Sequence, residues 1–314
     1  MLPGVLPASR TIGFGFDLSS VDAAIDFDSA ASTLFKALLA TRGPDSGRPL
    51  VFIGHGYGTV IIQSLLSTVK GDADSWLNLR GCTAAVVLFA PPFRGSDEFI
   101  EWNMKSSKLQ DSMKKILEPH LGNGSQYLQK YWKDFRVVAQ NPNIFVFAYL
   151  SKSANVTEKS RKADKVKASK TLSIEDLKRD VDLVDVSPTE DMWDIAKFSG
   201  PNDPRFHSIA GLISKKVQTR LILGAAERGD EDTLNFLIDR QIEVNLCNKK
   251  QQTALHMAAQ REDIQFVITL LSSGNVLING RDSEGMTTLH RTVLHNEKNT
   301  SRIVRELIKA GADR

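Results

Sequence analysis

The chain is poor in several things that would give its function away. Its 314 residues include only two cysteines, Cys82 and Cys247, 165 positions apart and outside any Cys-x-x-Cys or Cys/His cluster. That spacing argues against a disulfide framework and a structural zinc site, and it fits a reducing compartment. Forty Lys and Arg against 37 Asp and Glu leave a net charge of +3, too little to point to nucleic acid as the main partner. Long apolar runs are missing as well. The longest, Ala84 to Pro92, is about half the ~20 residues a spanning helix needs. Met1 to Arg10 shows no basic segment followed by an apolar core, so no secretory signal is read there. A cytoplasmic, soluble protein without a cofactor is the expectation. With 41% apolar and 25% charged residues the composition is globular, and the length suggests two domains.

Two styles of sequence meet near residue 215. Before it, apolar β-rich runs alternate with helical patterns, as in a parallel sheet covered by helices. Thr11–Phe16, Leu50–Gly54, Ala84–Ala90 and Ile144–Tyr149 read as strands. Runs such as VVLF and FVFA are apolar at every position, as strands buried on both faces are. Ala23–Arg42 and Thr59–Val69 carry apolar residues at helical spacing. The stretch 96–141 is a helical insertion, read either as a lid or as a packed excursion, with apolar residues such as Trp102 and Met104. Lys159–Lys170 holds six basic residues and one acid, without interleaved aromatics. It reads as a solvated loop, which argues against membrane-surface contact.

After residue 215 the chain repeats itself. Thr-x-Leu-His occurs at 253 and 287, Ala225–Ala226 recurs as Ala258–Ala259, and Val244–Asn245 as Ile278–Asn279. A period of 33 to 34 residues with these elements is that of ankyrin repeats, here about 217–247, 248–281 and 282–314. Thr253 and Thr287 stand where a helix begins, so their hydroxyls can serve the free backbone amides. His256 and His290 fit the family's position for tying neighbouring turns together, which makes them structural and not metal ligands. Such arrays bind other proteins through rigid exposed side chains. With 12 basic and 13 acidic residues in 221–314, no nucleic-acid role is expected.

Gly47–Ser64 runs from a strand into Gly54-His55-Gly56-Tyr57-Gly58 and then a helix. It resembles the nucleophile elbow Gly-x-Ser-x-Gly of α/β hydrolases, with Gly56 in place of the serine. Val87–Ser96, Leu121–Phe135 and Asp194–Phe206 resemble further segments of a lipase/serine-esterase-like branch, one that forms N-terminal modules of fungal NLR-type proteins. The fold class implied is an incomplete α/β-hydrolase-like parallel sheet (1–215) followed by an all-α ankyrin array (216–314). Aligning Lys197 and Phe198 with the segment after the family's catalytic histidine puts Met192 at the base position. The family's acid, expected after Tyr149, is Leu150. Leu6–Ile12 resembles a segment that follows the family's first strands and its oxyanion turn, so those strands are expected to be missing.

These three vestigial positions leave no assembled acyl-transfer machinery. Ser64, Ser96 and Cys82 show no evident partner in the sequence, His207 reads as a surface residue, and His55 as a neighbour of the elbow. His120 and His295 fit no pattern. The expectation is a catalytically dead hydrolase-like domain joined to a protein-binding array. The alternatives are residual esterase or lipase activity, and lipid or ligand binding in the vestigial pocket.

Overall fold

A computed structural model describes residues 9–16, 27–43, 47–91, 124–149, 181–184, 195–200, 202–295 and 299–313. It forms two compact units, Met1–Gly211 and Leu212–Arg314.

The first unit contains α1 (Phe27–Arg42), β1 (Leu50–His55), α2 (Tyr57–Ser67), α3 (Ala73–Gly81), β2 (Thr83–Phe89), α4 (Gly124–Ala139), β3 (Phe145–Tyr149) and β4 (Asp182–Val184). The four strands form one sheet in the order β1-β2-β3-β4, every pair parallel. All seven residues of β2 and all five of β3 are buried, which explains their uninterrupted apolar sequences. One sheet face, with Phe52, Val86, Leu88, Val146 and Ala148, shares a core with α1, α2, α3 and α4. On the other face Phe89 stacks on Tyr149 at 4.8 Å, and Phe198 and Phe206 extend the aromatic row. Helix α2 is apolar nearly all round and accordingly buried from Thr59 to Leu66.

Three expectations need correction or completion. Thr11–Phe16 is not a strand: Phe14 and Phe16 rest against the core, but the segment has no ladder. Gly13 and Gly15 alternate with those rings and supply no side chains for a pleated surface, which weakens a strand. The fourth strand is β4 instead. Helix α3 was not foreseen; Asp72 caps it by accepting from the Ser75 amide at 2.8 Å, and Trp76 ties it to Leu65. Within the expected insertion, α4 is a packed helix, with Tyr131, Trp132 and Phe135 buried in the core. Residues 96–123, including Trp102 and Met104, lie outside the described residues, as does Lys159–Lys170.

The unit boundary falls inside α5 (Pro204–Arg228). Asp203 precedes Pro204 and accepts the Arg205 amide at 2.9 Å, a helix start in which the proline amide is not needed. The second unit continues with α6 (Glu231–Asp239), α7 (Ala254–Gln260), α8 (Ile264–Ser272), α9 (Thr288–His295) and α10 (Thr300–Lys309). Helix α6 packs on α8 and α8 on α10, while α7 packs on α9. Between them lie two hairpin fingers, closed by the bridges Cys247↔Thr253 and Arg281↔Thr287. Ala225, Ala226, Ala258 and Ala259 are all buried, and their small side chains let successive helices approach.

Candidate functional site

The turn between β1 and α2 has a definite geometry. Gly56 adopts φ 54° and ψ −124°, a backbone conformation that an L side chain strains to reach. Its amide donates to Phe89 O at 3.0 Å, and the Thr59 amide and hydroxyl both donate to Gly56 O, at 3.1 and 2.6 Å. Gly54 is required by proximity: a Cβ there would lie 2.7 Å from Ile62 Cδ1 and 3.0 Å from Thr59 Cα. Gly58, by contrast, has nothing within 4 Å of such an atom. Strand β1 thus presses against α2, and a sharp corner places buried Gly56 at the carboxyl end of β1.

Around that corner the strand ends line up. His55, Phe89 and Tyr149 occupy one register row across β1, β2 and β3. Ala90 follows at φ 45°, its amide bonded to Tyr149 O at 2.8 Å. The Tyr149 hydroxyl is buried and makes no hydrogen bond among the described residues, and burial pushes its pKa up to about 12. It therefore stays protonated at neutral pH. Met192 and Leu150, expected at the base and acid positions from the resemblance, lie outside the described residues, as do Ser96 and His120. His207 is exposed on α5 beside Phe206. His295 closes α9, with its side chain outside the description.

Ser64 does have partners, which spacing along the chain could not reveal. Its hydroxyl donates to Asp28 Oδ1 at 2.5 Å, and the same carboxylate accepts from Lys70 Nζ at 3.0 Å and the Tyr131 hydroxyl at 3.2 Å. Burial raises the Asp28 pKa, but these donors and the Lys70 charge outweigh it and hold the carboxyl below its ordinary range. The cluster staples α1, α2 and α4 together, and the contacts of Ser64, Lys70 and Tyr131 converge on the Asp28 carboxylate. The thiol of buried Cys82 lies 3.6 Å from Asn78 Oδ1.

The array is built from ties between repeats. His256, fully buried, receives the Thr253 amide at 3.3 Å on Nδ1, with the Thr253 hydroxyl 2.9 Å away. Its Nε2 faces Met286 O at 3.4 Å in the next repeat. This pattern requires the neutral Nε2–H tautomer, and burial, first among the causes, lowers the His256 pKa accordingly. Among the described residues His290 ties only its own turn, 2.7 Å from the Thr287 hydroxyl, and it is exposed. Asn245 accepts from the Leu277 amide at 2.8 Å and donates to Asn275 O at 2.6 Å. Asn279, 34 residues later, treats Asp313 and Gly311 the same way.

The two fingers differ in charge. Asn248 Oδ1 accepts the amides of Lys250 and Gln252, and Asp282 Oδ1 accepts those of Glu284 and Met286. The third repeat adds an ion pair, in which Arg291 Nε donates to Asp282 Oδ2 at 2.7 Å and its NH2 reaches Glu284 at 2.9 Å. The exposed tips carry Lys250, Gln251, Ser283 and Glu284. Among the described residues no group of three or more His, Cys, Asp or Glu could hold a metal ion, and no helix is long and apolar enough to cross a membrane.

Alpha-latrotoxin-Lhe1a of Latrodectus hesperus and alpha-latrotoxin-Lh1a of Latrodectus hasselti are each 37% identical to this chain over 75 residues. Alpha-latrotoxin-Lt1a of Latrodectus tredecimguttatus is 36% identical over the same length. The match covers 24% of this chain and 5 to 6% of these relatives, so the chain corresponds to a small part of their length. Residues 222–314 match the family model of ankyrin repeats in three copies, and this part of the chain is an ankyrin-repeat array.

Proposed function

We propose that the chain is a non-catalytic interaction protein, in which a hydrolase-like scaffold without a nucleophile carries an ankyrin array that binds a protein partner. The observation that carries the first half is Gly56. It sits between a strand and a helix at φ 54° and ψ −124°, where a hydrolase of the resembled family would hold its serine. The close approach of Gly54 to α2 supports the same reading. At Gly56 there is no hydroxyl to attack an ester, and Ser64 is engaged by Asp28.

The second half rests on the repeats. Their polar ties consume backbone amides and buried side chains, leaving the finger tips as a rigid exposed surface for a partner. An intracellular scaffold or signalling role, of the kind the resembled fungal modules precede, follows from that pairing of parts.

Labelling of the full chain with a fluorophosphonate probe tests the reading. The expected result is labelling no greater than that of the heat-denatured chain. Specific labelling, or turnover of short p-nitrophenyl esters lost on replacing one Ser or His, would establish the residual-hydrolase alternative instead. Gly56→Ser sharpens the test: it should fold with a loss of about 1–3 kcal/mol from backbone strain and stay unlabelled.

A further inference from the structure

The outer helices of the array carry a charge pattern that their own unit leaves unused. On α6, Asp232, Phe236 and Asp239 are all exposed, at relative positions 0, 4 and 7. On α10, Arg302, Arg305 and Lys309 are exposed at positions 0, 3 and 7. Among the described residues Asp232, Asp239, Arg302 and Arg305 form no ion pair; Lys309 meets Glu306 at 2.8 Å and keeps two ammonium protons to spare. Helix α8, between the two, contains no charged residue and exposes Gln265, Ile268 and Ser272.

Two of these charges oppose their own helices. Asp239 lies in the last turn of α6, where the macrodipole favours a cation, and Arg302 lies in the first turn of α10, where it favours an anion. Helix stability therefore does not account for them. A surface in which acidic, neutral and basic helices follow in order is complementary to itself after a half-turn about an axis lying along α8. That rotation sets α6 against α10 of the other copy, parallel and at equal height. The heights agree: Leu237 and Leu307 are buried equivalents, and Asp239 and Lys309 each follow them by two residues. Leu234 and Ile303 are likewise buried equivalents, preceded by Asp232 and Arg302 by two residues and one. Residues seven apart on either helix are separated by about 10.5 Å, so both charge pairs fall into register.

We propose that the outer-helix face α6-α8-α10 pairs with the same face of a second copy in a two-fold dimer. Asp232 then meets the partner copy's Arg302 and Asp239 its Lys309, twice over, with Phe236 beside Arg305. Phe236 is 53% exposed and already carries Arg240 on its ring at 4.4 Å. Residues near the axis meet their own copies, and there α8 offers Ile268 and no charge to repel itself. The proposal is independent of the hydrolase-like reading of the first unit.

Sedimentation velocity on the full chain at about 100 µM tests it, since a Kd near or below that concentration shows as dimer. The wild-type chain should be dimeric at low salt and shift toward monomer as salt screens the pairs. Asp232→Lys with Asp239→Lys, and separately Arg302→Glu with Lys309→Glu, should each weaken the dimer at least about tenfold. Mixing these two variants should restore a 1:1 dimer, because each contact then joins opposite charges again. Ile268→Lys should also separate the copies while leaving every pair intact. All five positions are exposed, and circular dichroism checks that each variant is folded. A monomeric wild type, reversal variants that dimerise like wild type, or a mixture that stays monomeric would each overturn the proposal.

Discussion

Removing the Arg291 side chain should expose how the third finger is balanced. Asp282 is 4% exposed, and Arg291 is the cation that faces it within the finger. Burial raises the Asp282 carboxyl pKa, but the guanidinium and the amides of Met286 and Glu284 outweigh it and keep the group ionised at neutral pH. Deleting one partner of a buried pair costs about 3–5 kcal/mol. Two amide donors remain on Asp282, so Arg291→Met should cost somewhat less than that, about 2–3 kcal/mol. The second repeat already contains the neutral version of this finger, with Asn248 at the position of Asp282 and Met257 at that of Arg291. Adding Asp282→Asn should therefore recover most of the loss and leave the double variant within about 1 kcal/mol of wild type. Urea unfolding of the four proteins of the cycle measures this. A coupling below about 0.5 kcal/mol would show that the ion pair is ornamental and that the amides alone hold the finger.

Other perturbations follow from the same comparison of repeats. Thr288 is fully buried with an unbonded hydroxyl, where the second repeat has Ala254; Thr288→Ala should gain about 0.5–1 kcal/mol in thermal or urea unfolding. Gln251 sits at φ 57° where the next finger has Gly285 at φ 76°, so Gln251→Gly should stabilise by about 0.5 kcal/mol. Glu262 is also left-handed, at φ 58°, but its carboxylate accepts the Asn299 amide and the Thr300 hydroxyl. Glu262→Gly should therefore lose about 1–2 kcal/mol by the same assay, although it relieves the same backbone strain. His256 has a lowered pKa in the folded chain, so the unfolded chain binds its proton first as pH falls. Its contribution should be complete above pH ~6.5 and decline below that value toward the folded pKa, a slope in urea midpoint that His256→Gln removes.

Much of the sheet was legible because burial on both faces leaves a plain mark. TAAVVLF and FVFAY have no polar alternation, and both are buried throughout. TIGFGF misled because its aromatic alternation is that of a strand, while its glycines supply nothing to pack between neighbours. Helix α3 was overlooked since only Trp76 and Leu79 are buried, too few for a periodic stripe. The array was legible through Thr-x-Leu-His, whose hydrogen bonds are local and so recur with the repeat. The Asp28–Ser64 bond spans 36 positions and the Tyr131 contact 103, distances at which pairing leaves no pattern in a single sequence. The sharp turn from β1 into α2 was legible by its glycines, although its backbone angles belong to the fold.

The asparagine ties give the array a direction. Each loop that opens a later segment hangs from a carboxamide one repeat upstream: Asn275 and Leu277 from Asn245, Gly311 and Asp313 from Asn279. Loosening the first link therefore unhooks what comes after it, while loosening the last disturbs nothing before it. Amide hydrogen exchange would record this as protection at Leu277 that vanishes with Asn245→Ala and survives Asn279→Ala.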